Sequence, residues 1–333
     1  MNKNTKQRKT VLFCGPIHKP FNSGRYMIAA MEQLGYQVIG YDYRSNNKYE
    51  EDILKIVERK KPFYTFILKG ERLSPDLIKR FKELGCITIL WFTMIPTEDW
   101  MVPFAGEHDF ILTNVEDHVD YFSRRGIKNI KWIHQGFYPE FFGIDGTGVN
   151  SEGRYYADVA MIGSMGGSIY HKRCELVMQL RRKKIDIKWW GPHLSRKLKN
   201  IRYFLGGINR VWAGKEVYMK DFADVIRHTK ILIGQDADIP VQRRYLSNRG
   251  FAVMGCGGFY LCRRTPGIEF AYEVGKEVDV FDSDEEMIDK IRYYLKNEDE
   301  LKRIALAGQR KVLNNYTYKK QIKKIFTWVN EHL

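Results

Sequence analysis

The chain reads as an α/β protein of two lobes, each a parallel sheet wound with helices, and three observations predict it. Short β-rich apolar runs alternate with helical segments from Thr10 to the C-terminus, the grammar of strand–helix–strand units. The alternation breaks at residues 143–153, where glycine, asparagine and serine crowd a stretch of low apolar content, and then restarts. The 333 residues exceed what one ordinary core holds and suit two. The expected organisation is a first lobe over residues 1–145, a second over 151–315 and a closing helix over 316–333. A ligand cleft is expected where the parallel sheets face each other.

The first lobe opens with TVLFCG, an apolar run ending in Gly15, followed by the loop PIHKPFNSG and the helical RYMIAAMEQLG, stopped at Gly35. The strand QVIGYDY completes a βαβ unit, whose first loop lies at the carboxyl end of a strand, where open α/β sheets bind ligands. Helix 50–60, strand 63–68, helix 75–85, strand 87–92, strand 110–113, helix 115–126 and the strand-like KWIHQG follow. The second lobe repeats the order: strand DVAMIGS, helix CELVMQLRRK, strand IDIKWWG, a basic segment HLSRKLKNIR, helix DFADVIRHT and strand KILIGQ. SNRGFAVMGCGG, strand FYLCRR, a short strand 278–281 and helices 284–297, 298–315 and 318–332 complete it.

Composition narrows the function classes. The formal net charge of +15 and pI near 9.4 favour a polyanionic partner, nucleic acid or an anionic membrane surface, against the plainer alternative of a basic surface serving a phosphate-bearing ligand. No run of about 18 apolar residues predicts a transmembrane helix. The polar start MNKNTKQRK lacks the apolar stretch of a secretory signal, so a cytoplasmic protein is expected. Five scattered cysteines form no CxxC pair and no Cys/His cluster, which predicts reduced thiols and no structural zinc.

Three motifs carry candidate chemistry. At IGSMGGS, Gly163, Ser164, Gly166 and Gly167 end a strand and precede a helix. Glycines admit backbone N–H groups to a phosphate, the helix N-terminus adds partial positive charge, and Arg173 adds a fixed cation. A plain tight turn explains the glycines equally well. In SNRGFAVMGCGGFYLC, Arg249 starts a short helix that ends at Gly257 and Gly258, where the backbone can pass close to a ligand or simply cap the helix. In the first-lobe loop, His18 is a candidate general base; His134 is a second lone histidine, better suited to packing. Asp236 and Asp238 form a DxD after a strand, a spacing that can hold a divalent metal but recurs by chance. GxSxG, HExxH and EF-hand patterns are absent.

IGSMGGS, SNRGFAVMGCGGFYLC and IRYYLKNEDELKRIALAGQRKVLNNYTYKKQIKKI together resemble the CgeB-like, spore-maturation-type glycosyltransferases, most specifically in the closing segment; ILWFTMIPTEDW and DFILTNVEDHVDYFSRRG resemble that family's first lobe more loosely. The resemblance implies the GT-B fold: two Rossmann-like lobes with a C-terminal helix crossing back to the first. It implies a nucleotide-sugar donor, a UDP-sugar first among them, on the second lobe, an acceptor on the first, and no bound metal or prosthetic group. Its donor set would be Gly163, Ser164, Gly166, Gly167, Arg173, Arg249, Gly257, Gly258 and, as a family acid, Glu269, with His18 as base if the reaction inverts. The chain departs from the pattern where related retaining enzymes carry E-x7-E, since Arg244 and Ala252 stand there, and Thr93-Met94 replace an aspartate after a first-lobe strand. Three functions stay open: transfer to DNA or another polyanion, transfer to a cell-envelope, protein or polysaccharide acceptor, and non-catalytic binding of a sugar nucleotide.

Overall fold

A computed structural model describes residues 9–94, 97–144, 155–166, 169–194, 197–236 and 241–333. The chain divides into two compact units. Unit 1 takes in the described residues of Met1–Tyr138 together with Val241–Tyr245 and Tyr318–Leu333, and unit 2 those of Pro139–Pro240 and Leu246–Thr317.

Unit 1 runs β1 (Thr10–Cys14), α1 (Gly24–Gln33), β2 (Gln37–Tyr41), α2 (Tyr49–Lys60), β3 (Tyr64–Leu68), α3 (Pro75–Glu83), β4 (Ile87–Phe92), α4 (Met101–Gly106), β5 (Phe110–Thr113), α5 (Asp117–Ser123) and β6 (Ile130–Trp132). The strands form one parallel sheet in the order β2-β1-β3-β4-β5-β6. Both faces of a parallel sheet are covered, so its central strands are apolar throughout: every residue of YTFIL in β3 is buried. Local signals set the helix ends. Ser74 caps α3 by accepting from the Leu77 N–H at 3.3 Å, with Pro75 at the first helical position.

Unit 2 runs β7 (Ala157–Ile162), α6 (His171–Arg182), β8 (Ile187–Trp190), α7 (Ile201–Leu205), β9 (Trp212–Gly214), α8 (Met219–Arg227), β10 (Thr229–Gly234), α9 (Asn248–Gly255), β11 (Phe259–Arg263), α10 (Ile268–Ala271), β12 (Asp279–Phe281), α11 (Asp284–Lys296) and α12 (Glu298–Asn315). Its parallel sheet has the order β12-β11-β10-β7-β8-β9. Trp189, fully buried, stands in a core with Val159 of β7, Ile231 of β10 and Leu261 of β11.

The last helix, α13 (Tyr318–Glu331), belongs to unit 1. Ile322, Ile325, Phe326 and Val329 follow the i, i+3, i+4, i+7 spacing of one helix face and are all buried. Phe326 lies 4.2 Å from the Tyr36 ring and 5.1 Å from Tyr64, whose hydroxyl donates to Asn330 Oδ1 at 2.8 Å.

Each sheet reverses its winding once. In unit 1 the chain lays β2 on one side of β1 and continues with β3 on the other. In unit 2 it proceeds from β7 to β8 and β9, then returns to place β10 against the opposite side of β7. Crevices beyond the carboxyl ends of strands at such reversals bind ligands in open α/β folds. The β1/β3 and β7/β10 ends are therefore the two places to look.

Buried histidines give unit 1 a pH dependence. Burial pushes His108 and His134 down to about 4 from the ordinary 6.5. His108 Nδ1 donates to the Phe104 carbonyl at 2.8 Å, and its Nε2 has no partner among the described residues. The unfolded chain protonates these imidazoles near 6.5 while the folded chain resists until about 4. Their contribution is complete above pH 6.5 and is lost as pH falls toward 4, on the order of 3 kcal/mol for each group. Urea unfolding measured at pH 7.5, 6 and 5 is expected to show a falling midpoint, with a shallower fall in His108→Asn.

Candidate anion-binding site

β7 ends at Ile162, and Gly163 turns the chain with φ +134°, a conformation side chains rarely adopt. A Cβ there would lie 2.7 Å from Arg249 Nη2. The Gly163 N–H donates to the Trp190 carbonyl at 2.9 Å, and its own carbonyl accepts from Trp189 Nε1 at 2.8 Å. The loop is thus held from β8, with Gly191 so close that a Cβ would sit 2.2 Å from the Gly163 oxygen. Gly166, also at positive φ, donates to the Tyr170 carbonyl at 3.2 Å just ahead of α6. Gly167 lies outside the described residues.

Arg173, in the first turn of α6, is 4% exposed. Its Nε donates to the Gln235 carbonyl at 2.6 Å and its Nη1 to the Ser164 carbonyl at 2.9 Å, and the guanidinium lies 4.1 Å over the Tyr170 ring. Arg249, in the first turn of α9, donates through Nη1 to the same Gln235 carbonyl at 3.4 Å. Two like charges therefore converge on one neutral oxygen at the β7/β10 reversal. Burial, and then the field of Arg249, push the Arg173 guanidinium down to about 9, with Asp236 acting against them. Neither arginine makes an ion pair among the described residues. A cation held at this cost is relieved by an incoming anion.

Around the pair, the N-terminus of α9 adds its own positive end. Ser247 precedes the helix in extended conformation and its hydroxyl caps nothing. A cleft bordered by Asp236, Ser247, Phe251, Arg263, Thr265 and Tyr272 opens there. The Tyr272 hydroxyl and Asn248 Oδ1 are buried without a hydrogen-bond partner among the described residues. Gln235 links a third arginine, because its Oε1 accepts from Arg263 Nε at 2.8 Å. The arrangement can hold a phosphate or diphosphate through guanidinium and main-chain donors. Among the described residues no three His, Cys, Asp or Glu side chains gather as a metal site, and Asp238 of the DxD lies outside them.

The other candidates fall elsewhere. Gly257 and Gly258 close the far end of α9, an eight-residue helix of about 12 Å from Arg249. Gly257, at φ +87°, donates to Met254 O at 2.9 Å and Gly258 to Val253 O at 3.0 Å, the paired bonds of a Schellman cap. Exposed Glu269 pairs with Arg264, which also bonds Asp282 Oδ1 at 2.9 Å. In unit 1, His18 is exposed in the loop after β1. Its N–H and that of Ile17 donate to Asp42 Oδ2 at 3.1 and 2.9 Å. Burial raises the Asp42 carboxyl, but the N–H groups of Ile17, Arg44 and His18 together outweigh it and hold it below its ordinary value.

Sequence reasoning missed Gln235, Asp42 and Lys69. Lys69 follows β3 at φ +73°, and burial, then Arg44, push its ammonium down. A glycine in its place removes left-handed strain of about 1 kcal/mol. Glycine also frees the unfolded chain by about 0.5–1 kcal/mol, so Lys69→Gly is expected to leave the melting temperature within about 2 °C of wild type. Gly163→Ala is expected to cost about 1–3 kcal/mol in thermal or urea unfolding and to displace Arg249.

Comparisons with known proteins bear on the fold. Residues 172–327 match a family model described as glycosyl transferase-like, a span that takes in both Arg173 and Arg249. No curated protein sequence matches the chain. A glycosyltransferase from Rickettsia africae superposes with a TM-score of 0.71 at 12% identity, covering 97% of this chain and 98% of its own. Anabaena Alr3699/HepE in complex with UDP and glucose gives 0.66 at 11%, covering 97% and 100%. An alpha-glucosyltransferase in complex with UDP and a 13-mer DNA containing a HMU base gives 0.70 at 9%, covering 96% and 99%. With two parallel six-stranded sheets and likeness over nearly the full length, the chain has the fold of the GT-B glycosyltransferases.

Proposed function

We propose that this chain is a glycosyltransferase that uses a nucleoside-diphosphate sugar, a UDP-sugar in the first instance, and transfers the sugar to an acceptor hydroxyl. The observation that carries the reading is the convergence of Arg173 and Arg249 on the Gln235 carbonyl beside the uncapped N-terminus of α9. Two structures of the same fold contain UDP, one of them an alpha-glucosyltransferase, which supports the choice of nucleotide.

In this reading the diphosphate lies against the Gly163–Ser164 turn, Arg173, Arg249 and the first N–H groups of α9. When the bond between the anomeric carbon and the β-phosphate oxygen breaks, negative charge grows on the leaving diphosphate. Arg249, at the helix N-terminus, stabilises it as it forms. The acceptor oxygen bonds to the anomeric carbon and gives up its proton; His18 is the candidate proton acceptor for an inverting reaction. The diphosphate charge is met by guanidinium groups and helix dipole, so no metal is assigned. The net charge of +15 supports a polyanionic acceptor or a polyanionic surface that bears it, modified DNA among them. Ala252, where related retaining enzymes carry glutamate, favours a second reading, a sugar-nucleotide binder without turnover.

Calorimetry with UDP separates the cases. Wild type is expected to bind saturably, and Arg249→Ala to weaken binding by about 10- to 100-fold, the worth of one charge-assisted contact. A panel of UDP-sugars, scored for UDP release with hydroxymethylated DNA and with glycan acceptors, tests turnover. Binding without release from any donor selects the second reading, and no UDP binding by folded protein rejects both.

A further inference from the structure

The basic segment of unit 2 that leads from β8 to β9 carries an exposed apolar face with nothing packed on it among the described residues. Leu198 is 85% exposed, Ile201 52% and Leu205 83%. They follow one another at i, i+3 and i+7 through a 3-10 turn (Leu198–Asn200) that runs directly into α7, so they share one side of the helical segment. The opposite side is fixed to the protein. Asn200 is 1% exposed and Tyr203 4%, and Asn200 Oδ1 stands 3.2 Å from where a Gly166 Cβ would be, so α7 rests on the loop after β7. The outward aliphatics are therefore held in place by an inward anchor beside the candidate anion site.

Charge selects what covers them. Residues 187–215 contain seven lysines and arginines and no aspartate or glutamate. Lys197, Lys199 and Arg202 alternate with the three aliphatics, and α6, packed against α7, adds Lys172, Arg181 and Arg182. The acid of that face, Glu175, is engaged by Arg202 at 2.7 Å. A second copy of the chain would bring like charges together. A nucleic-acid backbone would satisfy the cations but offer nothing to three leucine-sized side chains. A bilayer with anionic headgroups meets both demands, with aliphatics below the headgroups and cations at their level.

We propose that the face formed by Leu198, Ile201 and Leu205, with Lys197, Lys199 and Arg202, docks this protein on an anionic lipid surface. The docking stands on exposure and charge and does not depend on the nucleotide reading. The test is sedimentation of the full chain with phosphatidylcholine vesicles containing one quarter phosphatidylglycerol, against phosphatidylcholine alone, at about 0.1 M salt. Binding to the anionic vesicles is expected, with at least a tenfold loss in Leu198→Gln/Leu205→Gln, whose melting temperature and UDP binding stay at wild-type values because both side chains are exposed. Lys197→Gln/Lys199→Gln is expected to weaken binding and flatten its salt dependence. Absence of binding to anionic vesicles overturns the proposal. So does binding that the leucine variant retains in full, or the finding that duplex DNA is bound instead and released by the same two substitutions.

Discussion

The arrangement of unit 2 depends on one carbonyl group. The Gln235 oxygen, one residue beyond β10, accepts from Arg173 and Arg249 together, while its side chain accepts from Arg263. A main-chain carbonyl offers two lone pairs but no countercharge, so the pair is fixed in direction without being neutralised. That constraint propagates. Arg249 fills the volume a Gly163 side chain would need, the Gly163 oxygen is taken by Trp189, and Gly191 is held to glycine by that same oxygen. One electrostatic requirement thereby settles the residue at several positions far apart in the chain.

The same winding gives unit 1 a different edge. Its reversal lies between β1 and β3, where a Cβ on Gly15 would meet Leu68 Cβ at 2.7 Å. Here the loop after the first strand is held by a carboxylate, Asp42, rather than by cations. The neighbouring cation, Lys69, sits in left-handed backbone, and the Tyr43 hydroxyl accepts from Gly70 at 3.1 Å to fix the turn. Topology supplies two comparable crevices, and the residues at the strand ends give the one in unit 2 a pair of arginines and the one in unit 1 a carboxylate.

Much of this was legible in the sequence. Apolar runs such as YTFIL and KILIG announced the central strands, because a strand buried on both faces has no polar alternation to confuse it with solvent-facing structure. Short elements escaped: α4, β9 and α10 have too few residues to show a period, and helix 115–126 shortened to Asp117–Ser123. Arg173, Arg249 and Gly163 were legible as residue types. Gln235 was not, since what matters most is its main-chain oxygen, and every residue has one. Gly257 and Gly258 had two readings, close approach to a ligand or a helix end, and their hydrogen bonds are those of a helix end. The exposed face of α7 was hidden for a related reason: aliphatics at helical spacing look the same whether they turn toward a core or toward water.

The two positions where the sequence departs from the E-x7-E pattern of the enzymes it resembles have unequal meanings. Arg244 is engaged within unit 1, where it grips Glu116 with two side-chain nitrogens and its main-chain N–H and lies 4.5 Å over Trp132. A glutamate there would face Glu116 with like charge, so arginine at 244 and glutamate at 116 form one matched pair. Ala252 has no such compensation. It lies in the middle of α9, three residues beyond Arg249, and removes a negative charge from the helix whose N-terminus completes the anion site. The site therefore keeps a stronger positive field than it would with a carboxylate on that helix. Under the proposed function, that would favour the diphosphate over the sugar as the part of a donor held at this end of α9, beside the uncharged Ser247 and Thr265 and the Tyr272 hydroxyl, which has no hydrogen-bond partner among the described residues.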